Sequence, residues 1–492
     1  MRLRVALPLC SPAPAGAVLA RACALACAAI VGFGVAPAPA GALARPPAAR
    51  ATATRSPYPA GATRPRRLAR PGEFARSASV SPATAGGAPG PTSGSGGSTG
   101  PSGSSGGSTA TGGSTGKTPA TKTKGKTKAK PKPVLRGNPA RALLAFEAMQ
   151  KAYYIRGSGL YQGEPFSYLW PFSQALAATV TLSHMQAIAK VPGLSTQLSR
   201  ELNARMIGLH SYLDTDNSGA SEGTFTSQLA AFDGTVAPPA GPGGTKYYDD
   251  NEWVGIELVR IYETTHDADA LGSAEAIMAF VMAGWSTDPE LACPGGVPFS
   301  NSSENSERNT VTDGPGAELA VKLYEITGNS QYLQFAQMAY EWVRACLLSP
   351  NGLYADHIGA QGKVAATYWS YNQGSMIGAG VLLYQATHNS AYLFQARQAA
   401  KAGLAYFTPE RLGQEIPFFP SVYFRNILYL DSVTHDPPGP KLAQAYVNYA
   451  WQHLRLADDL FVYGSPPASQ LLVQAAIVQI YGLLASSPST YF

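Results

Sequence analysis

Two neighbouring carboxylates, Asp249 and Asp250, stand beside Tyr248 and Trp253 in a part of the chain with few other charges. Hydrolysis of a glycosidic bond generally needs one carboxylic acid to protonate the leaving oxygen and a second carboxylate to attack the sugar or to activate water. Aromatic rings offer flat apolar faces with polar edges, which suit the faces of a sugar ring. The combination predicts sugar chemistry.

The adjacency of the two aspartates favours one stereochemical outcome. Retaining glycosidases hold their carboxyl groups about 5 to 5.5 Å apart, whereas inverting enzymes need roughly 6.5 to 9.5 Å. Adjacent residues have Cα atoms about 3.8 Å apart, so the longer separation is reached only if the side chains splay. A charged neighbour also makes double ionisation costly, which keeps one group protonated. If both groups act, the spacing predicts retention.

A structural interpretation of the same residues is also open. Asp249 followed by Glu252 fits a capping box, in which a carboxylate accepts hydrogen bonds from the free amides of a starting helix. Apolar residues then continue at helical spacing, at Val254, Leu258 and Ile261. We expect a helix to begin here, and both interpretations hold if its start faces a cavity.

A motif repeats three times in the C-terminal part of the chain. A tyrosine within an apolar helical stretch is followed by Thr-x-Asp or Thr-x-Asn, and the copies lie 62 and 60 residues apart. The copies comprise Tyr262, Thr265 and Asp267; Tyr324, Thr327 and Asn329; and Tyr384, Thr387 and Asn389. The polar element is typical of a helix end followed by the cap of the next helix. Each copy predicts a helical hairpin.

Further apolar stretches at 177–185, 423–430 and 471–484 look like weaker copies of the first helix, which brings the total to about six hairpins. We expect an all-α (α/α)6 toroid rather than an open solenoid, which would need polar capping repeats. Loops at one end of such a ring surround a cavity and tend to carry function. The candidate loops are 166–172, 247–253, 293–314 and 352–374.

The first 136 residues differ in kind from the rest. They carry 19 basic residues and one acidic residue, a formal charge of +18, so the remainder carries −12 against the whole-chain +6. Residues 1–44 are predicted to be a signal peptide, because arginines precede a short apolar run and small-residue cleavage options. Residues 45–137 are predicted to be a disordered Pro/Gly/Ser/Lys-rich linker. Residues 138–492 then form the (α/α)6 domain, whose acidic balance argues against a nucleic-acid surface.

Export predicts a secreted or cell-envelope-associated protein, with the basic linker acting as a solvated spacer or as a contact to an anionic envelope polymer. Cleavage would leave Cys293 and Cys346, which could pair outside the cell, although the sequence alone does not bring them together. Neither the cysteines nor the seven histidines show metal-site spacing. We therefore expect no zinc, no other metal and no cofactor.

With the repeat and the aspartates in view, residues 138–490 resemble glycoside hydrolase family 76, the α-1,6-mannanases. The resemblance rests on residues 248–253, Gly295-Gly296-Val297-Pro298, Asn309 with the helix from Gly314 to Tyr324, Tyr371-Asn372-Gln373-Gly374 and Phe424-Arg425. It implies an (α/α)6 fold and endo-hydrolysis of α-1,6-linked mannan with retention. It also implies that Asp249 is the nucleophile and Asp250 the acid/base. The chain departs from the family pattern at Pro298-Phe299 and Pro420-Ser421, which bears on the outer sugar subsites.

The candidate sugar-contacting residues are Tyr248, Trp170, Trp253, Trp369, Tyr371, Asn372, Gln373 and Arg425. Trp170 and Trp369 occur in loop-like contexts and are candidates for stacking, whereas Trp285, Trp342 and Trp451 lie in helical stretches and are expected in the core. Three alternatives are open. Trp253 could be core, Asn372-Gln373-Gly374 could be a turn that opens a helix, and Arg425 could pair with a carboxylate inside the ring or tie loops together.

The sequence therefore predicts a monomeric secreted enzyme that cleaves α-mannan through a covalent intermediate on Asp249. One alternative is another glycosidase or an epimerase on the same scaffold, because fold does not determine function. An epimerase would be expected to use His, and none lies in the aspartate motif. The other alternative is a non-catalytic carbohydrate-binding envelope protein, which the presence of both carboxylates disfavours.

Overall fold

A computed structural model describes residues 135–214, 229–302, 305–436, 438–464 and 468–492. The predicted signal peptide lies outside the described residues, as does the predicted linker up to residue 134. The first described helix begins at Gly137, next to the predicted domain boundary. None of the helices within these ranges is long and apolar enough to cross a membrane.

Twelve helices of 13 residues or more dominate the described ranges. In chain order they are α1 Gly137–Tyr153, α2 Leu169–Ser183, α3 Leu194–Leu209, α4 Tyr248–Thr265, α5 Ala268–Ala283, α6 Thr310–Thr327, α7 Ser330–Cys346, α8 Ser370–Thr387, α9 Ser390–Tyr406, α10 Phe418–Thr434, α11 Gly439–His453 and α12 Leu471–Leu483. One-turn helices at Gln186–Ala189 and Pro409–Leu412 and two 3-10 turns, His210–Tyr212 and Pro488–Thr490, complete the helical set. The even-numbered helices are buried over most of their lengths, whereas the odd-numbered ones bury one face.

The even-numbered helices form a closed ring. Each contacts the next in order from α2 to α12, and α12 contacts α2. From α2 to α10, each inner helix also packs on the outer helix that follows it. The inner helix α12 instead packs on α1, so the sixth hairpin joins the two ends of the described chain. This arrangement confirms the predicted (α/α)6 toroid.

The repeated Thr-x-Asp/Asn element links inner to outer helices as predicted. In the first copy the Thr265 hydroxyl donates to the Ile261 carbonyl at 2.7 Å and accepts from the Asp267 amide at 3.2 Å. The Asp267 carboxylate then caps α5 by accepting from the Asp269 amide at 3.0 Å. The other two copies make the same bonds within about 0.1 Å, through Thr327 with Asn329 and Thr387 with Asn389. These connections are short because local hydrogen bonds close them.

The connections from outer to inner helices are long, and they carry the small strands. These strands are β1 Leu213–Asp214, β2 Ala231–Phe232, β3 Arg308–Asn309, β4 His357–Ile358, β5 Val364–Ala365, β6 Val462–Tyr463 and β7 Ala468–Ser469. They pair antiparallel as β1-β2, β3-β4-β5 and β6-β7. All long loops therefore gather at the amino ends of the inner helices, where the helix dipoles present positive charge.

The predicted loops are shorter than expected, because inner helices begin inside them. Trp170 and Tyr371 lie in the first turns of α2 and α8 rather than in loops, and Trp369 is the residue that caps α8. Cys293 and Cys346 form a disulfide, with Cα atoms 6.1 Å apart, which ties the loop before α6 to the end of α7.

The tryptophans expected in the core differ in their surroundings. Trp342 is buried in α7, whereas Trp285 follows α5 and Trp451 of α11 stays partly exposed. The guanidinium groups of Arg141 and Arg455 lie over the Trp451 ring. The prediction of a helical position is therefore wrong for Trp285, while Trp285 and Trp451 are both partly buried and pack against the core.

Candidate active site

Asp249 and Asp250 occupy the second and third positions of α4, at the loop end of the ring. Asp250 is 8% exposed, and Asp249 keeps part of its surface open while its Oδ1 atom is buried. The capping-box prediction is wrong. The residue that caps α4 is Tyr247, with no side-chain cap bond, and Glu252 is fully buried instead of reaching back to the helix start.

Buried polar contacts hold the segment that leads into the aspartates. The Lys246 ammonium pairs with Asp214 at 2.8 Å and with Asp233 at 3.0 Å, and all three side chains are buried. Asn251 accepts from the Phe232 amide at 2.8 Å and donates to the Phe232 and Tyr247 carbonyls at 2.9 and 2.8 Å. The first turn of α4 is therefore braced from both sides, which restricts where its carboxylates point.

Burial raises the pKa of both aspartates. Burial is the largest effect on Asp249 and raises its pKa. The backbone amides of Asp250 and Asp249 lower the pKa in part, and the nearby Asp356 carboxylate adds a smaller increase. The pKa of Asp250 is also raised, by burial and then by the charge on Asp249. The two carboxylates interact, so ionising one disfavours ionising the other. The pair therefore favours a state with one protonated and one ionised carboxyl group.

Four of the predicted aromatic residues meet around Phe418 and Phe419, at the start of α10. Trp170 and Trp253 stand edge-on to Phe418, with ring centroids 5.3 and 5.6 Å away. Tyr371 stacks on Phe419 at 4.1 Å, and Trp369 lies 5.4 Å from Phe419. The indole N–H groups of Trp170 and Trp253 find no hydrogen-bond partner within the described ranges. Nothing in the local pattern had singled out the two phenylalanines at the centre of this cluster.

Asp356 is a further acid at the site that the sequence analysis did not select. Its carboxylate accepts from Asn372 Nδ2 at 3.1 Å and contacts His357 Nδ1 at 3.0 Å. The hydrogen bond from His357 to Asp356 raises the pKa of the histidine. The predicted candidate Asn372 is fully buried, and its Oδ1 atom has no partner within the described part of the chain. The only sequence signal for Asp356 was its position in the loop at 352–374.

Three predicted sugar contacts have other roles in this geometry. Tyr248 is fully buried against outer helix α5, stacked on Phe280 at 4.4 Å. The amide of Gln373 is fully buried and is engaged by the backbone of Tyr354 and Trp369. Arg425 donates to Glu318 at 2.7 Å, the carboxylate pair inside the ring that was one of its open alternatives. Core packing and internal hydrogen bonds therefore account for Tyr248, Gln373 and Arg425.

A comparison with known families finds one family that this chain resembles. The model of glycosyl hydrolase family 76 matches residues 206–427, which include the aspartates, Arg425 and the aromatic cluster apart from Trp170. Over residues 206–427 the chain is similar to glycosyl hydrolase family 76. Within the described ranges, the chain shows no group of three or more His, Cys, Asp or Glu side chains arranged to hold a metal ion.

Relatives with named activities share only part of their length with this chain. It is 26% identical over 184 residues to a mannan endo-1,6-alpha-mannosidase of Saccharomyces cerevisiae, across 34% of this chain and 40% of the yeast protein. A putative mannan endo-1,6-alpha-mannosidase of Schizosaccharomyces pombe is 25% identical over 198 residues, across 37% of this chain and 44% of that protein. The chain thus spans about two fifths of the length of these relatives.

Solved structures share the fold over a larger span. A family 76 glycoside hydrolase from a bovine Bacteroides thetaiotaomicron strain superposes with a TM-score of 0.62 at 23% identity, over 71% of this chain and 78% of that one. An alpha-1,6-mannanase of Salegentibacter sp., inactivated by replacing two consecutive aspartates and bound to alpha-1,6-mannotetrose, gives a TM-score of 0.55 at 20% identity, over 71% and 99% of the chains. At these identities the likeness establishes the fold.

Proposed function

We propose that this protein is a glycoside hydrolase that cleaves α-1,6-linked mannan. The observation that carries the proposal is the Asp249–Asp250 pair in the first turn of inner helix α4, where burial raises the pKa of both groups and the charge on Asp249 raises that of Asp250 further above its ordinary value. Glycosidic hydrolysis needs one protonated and one ionised carboxyl group, and this pair supplies both at neutral pH. The names of the yeast relatives support the choice of linkage.

The chemistry that we propose is a double displacement with retention. Asp250 gives its proton to the glycosidic oxygen while the Asp249 carboxylate forms a bond to the anomeric carbon and the leaving sugar departs. A water molecule then attacks that carbon, Asp250 takes the proton from the water, and the bond to Asp249 breaks. The amides of the first turn of α4 and the amino end of its dipole favour the anionic form of Asp249. Adjacent residues suit the short carboxyl separation that this route requires.

The aromatic cluster supplies a surface for the sugar chain. Trp170, Trp369 and Tyr371 meet around Phe418 and Phe419 at the loop end of the ring, and Trp170 and Trp369 remain partly exposed. The unpartnered indole N–H of Trp170 can donate a hydrogen bond to a sugar hydroxyl. The unpartnered Oδ1 of Asn372 can accept one. We assign these four residues to substrate binding. The predicted signal peptide and basic linker place the enzyme outside the cell or at its envelope in this proposal.

Product mapping on linear α-1,6-mannan tests the function. Wild type should shorten the chain, whereas Asp249→Asn and Asp250→Asn should lose at least about 10²-fold in rate, since general acid/base help alone contributes about 10² to 10⁴-fold. Asp269→Asn is the matched control, because Asp269 is also a first-turn helix acid but lies exposed on outer helix α5. Binding of mannan without shortening would favour the carbohydrate-binding alternative.

Anomeric proton NMR of the first product tests the stereochemistry separately. Retention predicts that the α-anomer of the new reducing end appears before mutarotation. A β-anomer appearing first would exclude the covalent route through Asp249 and leave the hydrolase assignment intact.

A further inference from the structure

Glu252 lies one turn after Asp249 on the same face of α4 and is fully buried. Residues three apart on a helix have Cβ atoms about 5 to 6 Å from one another, so their side chains can meet. Across from Glu252, inner helix α6 presents Gly316. A Cβ atom at Gly316 would lie 2.9 Å from Glu252 Oε1, so a larger residue there would displace this carboxyl group from its position.

The carboxyl group of Glu252 lacks side-chain hydrogen-bond partners for its buried oxygens in the part of the chain that the structure describes. Neither oxygen of Glu252 is bonded to another side chain within the described ranges, and the buried Oδ1 of Asp249 is in the same situation. Two carboxylates can only accept, so they cannot satisfy each other while both are ionised. If one of them carries a proton, it becomes a donor and the two groups complete each other's bonding.

The charges around Glu252 decide which group holds that proton. It faces Asp249 on its own helix and Asp313 and Glu318 on α6, and all three raise its pKa in addition to the effect of burial, against a partial lowering by the Gly316 amide. No cation of the described residues acts on the pKa of Glu252, and the Arg425 guanidinium of α10 is bonded to Glu318 instead. Asp249, by contrast, keeps an open edge and the amides of the helix start. The proton therefore belongs on Glu252.

We propose that Glu252 is a positioning residue that donates its carboxyl proton in a hydrogen bond to the buried Oδ1 of Asp249. This bond leaves the other Asp249 oxygen as the one that faces the cavity and the sugar. It also stabilises the ionised form of Asp249, which the nucleophile needs. The proposal rests on the role of Asp249 in the proposed function, but its geometry can be tested without substrate.

Substitution of Glu252 should change the pKa of Asp249 in opposite directions, depending on whether Glu252 is protonated or ionised. Glu252→Met removes the donor at similar volume, so the pKa of Asp249 should rise by about one or more, as expected for the loss of a hydrogen bond to a charged group. Glu252→Gln keeps an N–H donor and should leave that pKa nearly unchanged. If Glu252 were ionised instead, both variants would lower the pKa of Asp249, because each removes a negative neighbour.

The test is a carbon-13 NMR titration of the full protein labelled at aspartate carboxyl carbons, with Asp249 assigned through Asp249→Asn. Glu257→Gln is the control, because Glu257 is a buried acid of the same helix that pairs with Arg260 away from the site; it should not change the Asp249 titration. A lowered pKa in Glu252→Met and Glu252→Gln, or no change in a Glu252→Met protein of native circular dichroism, would overturn the proposal. If Glu252→Met does not fold, Gly316→Ala, which crowds Oε1, must raise the same pKa.

Kinetics separate this inference from the proposed function. On α-1,6-mannan, Glu252→Met should lose about tenfold or more in kcat with little change in KM, and the acid limb of its pH profile should move to higher pH. Glu252→Gln should retain activity within a few-fold. If the wild type leaves mannan intact but Glu252→Met raises the pKa of Asp249, the proposed function alone is refuted. If the wild type cleaves mannan but Glu252→Met leaves the pKa of Asp249 unchanged, the positioning role alone is refuted.

Discussion

Replacing Gln373 by alanine should destabilise the domain rather than weaken sugar binding. Its Oε1 accepts from the Tyr354 amide at 2.8 Å, and its Nε2 donates to the carbonyls of Tyr354 and Trp369 at 2.9 and 3.2 Å. Gln373 is fully buried and Tyr354 nearly so, at 1% exposure, so truncation strands at least one amide and one carbonyl. Each stranded group costs about 1 to 3 kcal/mol, so we expect the free energy of unfolding to fall by about 4 kcal/mol.

Urea denaturation of the variant measures this loss, provided that the dependence on denaturant is unchanged. Gln474→Ala is the matched control. Gln474 occupies the same fourth position of inner helix α12 and exchanges the same two bonds with Phe461, at 2.9 and 2.6 Å. Among the described residues Gln474 makes two such bonds where Gln373 makes three, so its loss should be slightly smaller. In refolded Gln373→Ala protein below its transition, KM for mannan should stay within about threefold.

The opposite pattern would refute this reasoning. If Gln373→Ala cost less than about 1 kcal/mol while Gln474→Ala cost several, and if KM rose tenfold, the amide would have to contact sugar. The assignment of Gln373 to holding the loop before α8 would then be wrong.

Two further predictions concern stability. Burial raises the pKa of Glu415 from its ordinary 4.5 to about 7, although the backbone and hydroxyl of Ser370 lower it in part. A raised folded-state pKa means that stability is fully present below pH 4.5 and is lost as the pH rises through 7. In urea titrations, the free energy of unfolding of the wild type should decline between pH 4 and 8, and Glu415→Gln should remove about 3 kcal/mol of that decline. An unchanged decline in the variant would contradict the interpretation of Glu415 as a buried acid. The residues after inner helices α6 and α8, Gly328 and His388, adopt left-handed backbone with φ of 71° and 55°. Gly328→Ala should cost about 1 kcal/mol and His388→Gly should stabilise by about 0.5 kcal/mol in urea midpoints, because a Cβ is disfavoured there and glycine entropy offsets part of the gain. If both substitutions changed stability in the same direction, the explanation by left-handed backbone conformation would be refuted.

Local features of the site were readable from sequence because they depend on near neighbours in the chain. The Asp249–Asp250 pair needs only adjacency, and the Thr-x-Asp/Asn links close through bonds between residues two to four apart. The same logic failed for Glu252. Its spacing from Asp249 matched a capping box, but burial beneath inner helix α6 took the side chain to the interior.

Long-range packing decided which residues meet. Phe418 and Phe419 gather aromatic side chains from α2, α4 and α8, and Asp356 reaches Asn372 and the aspartate pair across separate loops. The pairing of Cys293 with Cys346 and the closure of the ring by α1 on α12 likewise join distant segments.

The sequence by itself determined the helical repeat, the pair of acids and the acidic character of the domain, because each is a property of composition or of short-range spacing. Only the tertiary structure decided that Tyr248 faces an outer helix, that the Gln373 amide is hydrogen-bonded to backbone groups, and that Glu252 is buried one turn after Asp249. The physical reason is that an inner helix of the ring is buried on every side, so its periodicity does not reveal which of its polar residues face the cavity.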